Sequence, residues 1–402
     1  MAPSLATKIA GISLPTAVYN ASGPRSGNSA ALSKVANSKA GAVLSKSATV
    51  LSQTGNPQPR IYHAPNGQAS QNSEGLPNSG IDYYISEECI SETFEGCPTA
   101  DGKPYIVSIS GKNLQDNLTM IDRIIDALSH GRKISSVELN LACPNVIGKP
   151  IISYDMDQMK DILEAVRAKT QRGPKPLNVP LGIKLAPILD QKQLSDFANL
   201  INSYKDTVRY VVAINTIGNS LAVDVESESP PISSNNGYAG LSGQAVKYTA
   251  LANVRQLRTH LDPSIDVVGV GGIASGEDAF AMLLCGANAV QVGTCHWTEG
   301  PKCFDRIIEE LQQIMTAKGY SSLDDVIGKL KPWSKEGAAL SRAVAKKKKA
   351  NAPNIQQQGG IGGGQLSGTM MMVAGQPISI IDCVLVVIIA VLLAEKFGLM
   401  KL

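Results

Sequence analysis

Between residues 17 and 330, short apolar runs alternate with longer stretches whose apolar residues recur every three to four positions. This is the signature of strands alternating with amphipathic helices. Strands are expected at residues 17–20, 41–45, 105–110, 137–141, 181–185, 210–214, 265–270 and 288–292. Helices are expected at residues 117–128, 156–168, 193–204, 246–259, 276–285 and 301–318, the last with Pro301 in its first turn. Two polar stretches, 52–80 and 218–243, read as long loops. Loops of that length inside a compact domain are usually functional or disordered.

Eight strands, seven of them followed by helical segments and the second mainly by the first long loop, predict an α/β fold. The expected form is a closed parallel (β/α)8 TIM barrel over residues 1–330. A doubly wound open sheet would carry a glycine-rich fingerprint after its first strand. Asn20-Ala21-Ser22-Gly23 does not supply one.

Barrel chemistry sits at the carboxyl ends of the strands, where this chain carries Ser22, Lys46, Cys143, Lys184, Asn215, Gly271 and Gly293. The run Val137-Glu138-Leu139-Asn140-Leu141-Ala142-Cys143-Pro144-Asn145 is the most informative. It begins as a mostly apolar strand and ends in a thiol flanked by two Asn amides. A Cys with a pKa of about 8.5 is a candidate general base once tuned, and the amides suit a planar ligand with amide edges. The alternative is a Cys packed as a small hydrophobe. Lys46 and Lys184 each close an apolar run, where an unpaired ammonium is costly. An anion or an electron-rich ring would compensate them. Gly271-Gly272 and Gly293-Thr294, after the last two strands, fit a phosphate site or simple strand ends.

Composition narrows the class. Hydrophobic residues make up 43% and charged residues 18% of the 402 residues, enough for a large core. The net charge of +3, drawn largely from Lys346–Lys349, argues against nucleic acid. Seven cysteines with no C-x-x-C pair fit a reducing compartment, and four scattered His give no metal-ligand spacing. Residues 1–10 show neither a signal nor a transit peptide.

The chain resembles the class 1A, fumarate-linked dihydroorotate dehydrogenases from about residue 20 to 330. The likeness rests on Asn20-Ala21-Ser22-Gly23, Lys46-Ser47, Gly75-Leu76-Pro77-Asn78, Asn140 to Asn145 continuing to Gly148-Lys149-Pro150, Asn215-Thr216-Ile217-Gly218-Asn219, Thr249 to Arg255 and Gly271-Gly272-Ile273. The resemblance implies FMN against Ala21, Ser22, Lys46, Ser47, Asn140, Lys184, Ile214, Gly243, Gly271, Gly272, Gly293 and Thr294. It implies dihydroorotate held by Lys46, Asn72, the loop Glu74-Gly75-Leu76, Asn140, Asn145, Asn215 and Thr216. Cys143 would take the C5 proton while C6 passes hydride to the flavin. Fumarate would then reoxidise the flavin, leaving succinate, and the protein would be a homodimer. The chain departs from the family at Glu74 (usually Met), Ala142 (usually Ser), Thr216 (Ser), Ala239 and Ser242 (both Gly).

Beyond residue 330 the resemblance is silent. Residues 331–376, basic and rich in Gly and Gln, read as a flexible linker. Residues 377–396 read as a single membrane-spanning helix that would tether a cytoplasmic catalytic domain to an intracellular membrane, with Asp382 at the interface. A buried or partner-binding helix is the alternative. Two other functions stay open: the same flavin chemistry with a quinone acceptor, and a catalytically altered flavoprotein scaffold, which Glu74 and Ala142 motivate.

Overall fold

The computed structural model describes residues 2–99, 102–142, 151–173, 175–351, 371–373 and 376–378. The chain divides into two compact units, Met1–Lys331 and Pro332–Leu402.

The first unit is built on eight parallel strands: Val18–Asn20, Val43–Leu44, Tyr105–Ile109, Ser136–Asn140, Leu181–Leu185, Val208–Ala213, Asp266–Val270 and Ala289–Val292. Every residue of Tyr105–Ile109, Ser136–Asn140 and Leu181–Leu185 is buried. Strands covered on both faces lose the polar alternation of a half-exposed sheet, which is why the sequence shows near-continuous apolar runs. The ladders run unbroken from the first strand through the eighth and back to the second.

The last seam is bridged differently. The Asn20 side chain accepts from Leu44 N at 2.9 Å and donates to Leu44 O at 2.7 Å. One amide thus replaces a ladder rung between the first and second strands. Gly41 N donates to Val18 O at 2.8 Å along the same seam. The result is a near-closed barrel, as the strand count implies.

Six helices fall where the apolar periodicity places them: Leu114–Ser129, Met156–Gln171, Gln191–Asn202, Lys247–His260, Gly276–Cys285 and Lys302–Lys318. Asn113 and Asp190 cap two of these helices, which begin two to three residues earlier than the apolar pattern alone suggests. After the second strand the chain also forms the helix Glu87–Phe94, and after the first strand Ser29–Ala36.

The two long polar stretches are only partly loops. They contribute Ile61–His63, Ser70–Asn72, Ile217–Ser220 and Ala239–Ser242 to a four-stranded antiparallel sheet, in which Asn72 is paired with both Ile61 and Gly240. These strands are short and polar, so no apolar alternation announces them. Another hairpin, Thr7–Ile9 with Ile12–Leu14, lies at the opposite end of the barrel. There Ala10 N donates to Asp266 Oδ2 at 2.6 Å and Thr7 Oγ1 to Asn288 O at 2.9 Å.

The second unit differs from the expected linker. Lys335–Asn351 is a helix that includes the four-lysine run. Its Ala, Leu, Lys and Glu content favours helix, and the basic composition did not outweigh that preference. Pro377 and Ile378, expected to open a membrane helix, belong instead to the strand Gln376–Ile378, paired with Met371–Val373. Residues 379–396 of that expected helix lie outside the described residues. Among the described residues no helix is long and apolar enough to cross a membrane.

Two stability predictions follow from this packing. Asn20→Ala leaves the buried N–H and C=O of Leu44 without partners and is expected to cost about 2–4 kcal/mol. Urea unfolding checks this, and an unchanged midpoint would show that closure does not depend on the amide. His296 is buried in the helix Thr294–Glu299, and burial, with a contribution from Arg25, pushes its pKa down to about 4. The unfolded chain binds this proton near pH 6.5 and the folded chain does not, so stability present above that pH is lost as pH falls towards about 4. The expected loss is about 3 kcal/mol. His296→Gln should flatten that part of the stability–pH curve.

Candidate active site

The carboxyl ends of the strands open into a cavity of about 300 Å³, a volume suited to a small molecule or cofactor. Its wall includes Ala21, Ser22, Lys46, Ser47, Asn72, Glu74, Leu76, Asn140, Lys184, Ile214, Asn215, Thr216, Gly243, Gly271, Gly272, Gly293 and Thr294. Residues from the ends of seven of the eight barrel strands and from both long loops therefore meet in one place. Gly75 lies beside this wall rather than in it. Cys143 and Asn145 lie outside the described residues.

At the centre, hydroxyls and amides lock one another. Ser47 Oγ lies 2.9 Å from both Ser22 Oγ and Ser108 Oγ. Asn140 donates to Ser47 Oγ at 3.2 Å, and its Oδ1 accepts from Asn215 Nδ2 and Ala142 N, each at 3.2 Å. Asn215 Oδ1 in turn accepts from Thr216 N at 2.9 Å. Thr216 Oγ1 is buried with no hydrogen-bond partner among the described residues. A buried hydroxyl in that condition is ordinarily met by a ligand or by water.

Beneath the cavity lies a charged layer inside the barrel. Strand register puts Asn140 opposite Lys184 and Glu138 opposite Gly182, so all four positions face inward. Gly182 is obligatory because a Cβ there would stand 2.3 Å from the Tyr210 ring. Glu138 is fully buried, and Lys184 Nζ stands 4.0 Å from its Oε1. Gln291 bridges the two: its Oε1 accepts from Lys184 Nζ at 3.3 Å and its Nε2 donates to Glu138 Oε2 at 2.6 Å. Burial pushes the Glu138 pKa up and the Lys184 pKa down, and the opposite charge of each partner offsets part of that shift. The amide orientation, oxygen towards the lysine and nitrogen towards the carboxylate, matches an ionised pair.

The glycine-rich end is held rigidly. Gly272 has φ +73°, and a Cβ there would meet Lys247 Cβ at 2.5 Å. Gln244 Nε2 donates to Gly272 O at 2.8 Å and to Asp278 Oδ2 at 2.9 Å. Lys247 pairs with Asp278. Burial opposes ionisation of Asp278, but the bonds from Lys247, Ala274 N–H and Gln244 hold its carboxyl below the usual range. Thr294 Oγ1 donates to Ser242 Oγ at 3.2 Å, so the Ser242 hydroxyl is used.

Glu74 does not present a bare charge to the cavity. Arg60 Nε lies 3.5 Å from Glu74 Oε1, and Arg60 Nη1 donates to Thr54 O and Asn56 O at 2.7 and 2.9 Å. Arg60 Nε has no hydrogen-bond acceptor, so the Glu74 contact is one of charge rather than a hydrogen bond. Gly75, with φ +68°, lets the chain pass Asn56, whose Oδ1 would lie 2.3 Å from a Cβ.

Sequence reasoning missed several wall residues. His63 and Trp297 pack edge to face, ring centroids 4.8 Å apart, one from a long loop and one from the segment after the eighth strand. Gln291 sits inside a strand that reads as apolar. The available signal was parity: Glu138 shares the inward face with Asn140, two residues away. Cys295 also lines the cavity, but its pKa is raised by the Cys303 thiol and then by burial, so it stays a thiol at neutral pH.

The family model for dihydroorotate dehydrogenase matches residues 4–315. The chain is 44% identical over 330 residues to dihydroorotate dehydrogenase (fumarate) of Saccharomyces cerevisiae, covering 82% of this chain and 99% of that protein. It is 40% identical over 327 residues to dihydroorotate dehydrogenase A (fumarate) of Lactococcus lactis subsp. lactis, covering 81% and 99%. The solved ligand-free DHODH of Eimeria tenella superposes with a TM-score of 0.67 at 22% identity, over 82% of this chain and 93% of that one, a likeness of fold alone. With the strand-end cavity, its paired lysines and asparagines and this span of similarity together, the chain belongs to the dihydroorotate dehydrogenase family.

Proposed function

We propose that this enzyme oxidises (S)-dihydroorotate to orotate in pyrimidine biosynthesis, using bound FMN and fumarate as electron acceptor. The observation that carries the reading is the convergence of Lys46, Asn72, Asn140, Lys184, Asn215 and Thr216 on one cavity. The fumarate-linked names of relatives at 40–44% identity favour that acceptor over a quinone.

The residues present fit FMN. Gly271, Gly272, Gly243 and Gly293 leave the backbone open to a phosphate at one end of the cavity. Lys184, Ser47, Asn140 and Ala21 line the part suited to the ring, and the unpartnered Thr216 hydroxyl points to a ligand beyond the protein. When bound, FMN supplies the two-electron acceptor that these side chains lack. Lys184, with Glu138 beneath it, would stabilise negative charge on the bound ring.

Asn140 and Asn215, fixed to each other and to Ser47, present amide edges in a set orientation to a planar pyrimidine. Lys46, with Gly75 and Leu76, would meet the substrate's anionic side. Cys143, next in sequence after Ala142, would take the C5 proton, and Asn145 would help hold the pyrimidine. Residues 1–330 would form the catalytic domain, acting as a homodimer. The apolar run at 384–394 supports a membrane-associated tail on sequence alone. Flotation of the full chain with vesicles, compared with a chain ending at residue 376, tests it.

Three outcomes are expected. Purified protein should be yellow, bleach anaerobically with dihydroorotate and recolour with fumarate faster than with a short-chain quinone. A bound flavin that dihydroorotate leaves oxidised would remove the substrate assignment. Cys143→Ala should keep FMN but lose flavin reduction by at least about a thousandfold near neutral pH. Glu74→Gln should tighten orotate binding roughly three- to tenfold at low salt, and Arg60→Leu should weaken it, because the carboxylate then faces the anion uncompensated. Titration of the flavin spectrum at two salt concentrations measures both.

A further inference from the structure

We propose that Glu138 is a positioning residue that keeps Lys184 protonated, so that reduction of the bound flavin takes up one proton rather than two. The inference rests on the flavin reading above.

Glu138 does not line the cavity, so it acts through another group. It is fully buried on a strand whose neighbours Val137 and Leu139 are apolar. An isolated carboxylate there would be costly. Its Oε1 has no hydrogen-bond partner and faces Lys184 Nζ at 4.0 Å. Gln291 ties both groups together from the eighth strand, and its Nε2 also reaches Tyr19 OH at 3.2 Å on the first.

The other titratable groups around the pair are Tyr19 and Tyr210, both fully buried and pushed up by burial and then by Glu138, so both stay neutral. Across the cavity stand Lys46 and the Glu74 carboxylate with its Arg60 partner; Glu299 and the Cys295 thiol lie towards the glycine end. Among the charged groups on the described residues, Glu138 is the one that raises the lysine's proton affinity. Lys184 therefore depends on Glu138 for its charge.

The consequence is a proton count. Oxidised FMN takes two electrons and one proton to give the anionic reduced ring. With Lys184 already charged, no second proton moves. Without Glu138, Lys184 is neutral beside the oxidised ring, and the new negative charge draws a second proton from solvent onto its Nζ. Uptake then rises towards two protons per two electrons.

The test is the pH dependence of the flavin midpoint potential between about pH 6 and pH 9, below the pKa of a free lysine. Dithionite supplies the electrons, dyes of known potential report, and bound flavin is checked by absorbance. The FMN-loaded full chain, Glu138→Gln, Glu138→Asp, Lys184→Gln and the double variant Glu138→Gln/Lys184→Gln are compared. The full chain, Lys184→Gln and the double variant are expected to take up one proton, Glu138→Gln close to two, and Glu138→Asp an intermediate number. Glu138→Asp keeps the test open if Glu138→Gln does not fold. Uptake matching the full chain at every pH in either Glu138 variant overturns the proposal, as does a second proton persisting in the double variant. A full chain that binds no flavin would instead sink the functional reading on which this rests.

Discussion

The rim of a barrel is assembled by its closure, and here the last seam is joined by the Asn20 amide and one backbone bond, Gly41 N to Val18 O, rather than by a ladder. The other seven seams are backbone ladders, in which each strand satisfies the next. Between the first and second strands, Asn20 supplies both a donor and an acceptor to Leu44. Buried backbone groups left open there would be expensive. Closure is what brings Ala21 and Ser22 from one side of the seam against Lys46 and Ser47 from the other, with Ser22 and Ser47 hydroxyls in contact. The cavity wall is thus a product of the same constraint that completes the fold.

Below that wall, the barrel interior is not filled by hydrocarbon alone. Tyr19, Glu138, Lys184, Tyr210 and Gln291 form a polar layer in which Gly182 makes room for the Tyr210 ring. Burying such a layer costs stability relative to an apolar core. What it provides is a lysine at the cavity wall whose carboxylate neighbour, Glu138, lies outside the cavity. A lysine rising from an apolar floor would lose its proton, and one paired within the cavity would offer its charge to the wrong partner.

The cavity's other wall comes from chain that does not belong to the barrel. The segments after the second and sixth strands pair with each other across more than 140 residues of sequence, Asn72 lying opposite Gly240. This sheet carries Asn72 and leads directly into Glu74, Gly75 and Leu76. Arg60, tied to Thr54 and Asn56, sets the Glu74 charge within that wall. The cavity is thus walled by this polar sheet on one side and by the strand ends of the barrel on the other.

The barrel was legible because burial on both faces writes strands as apolar runs and helices as periodic ones; all eight strands and six of the helices stand where those periods place them. The site was legible as far as polar residues ended those runs: Lys46, Asn140, Lys184, Asn215 and the terminal glycines meet as expected. The antiparallel sheet was not, since strands such as Ser70–Asn72 carry no period and exist only by pairing with a distant segment. Nor was the tail helix Lys335–Asn351, where helix-forming side chains outweighed a basic composition that suggested a linker. Sequence alone determined the eight barrel strands, six of the helices and the chemical groups at the strand ends, because those preferences are local. Tertiary structure alone decided that Glu138 would stand under Lys184, that Arg60 would answer Glu74 and that Asn20 would close the ring, because each is a contact between segments that no local preference relates.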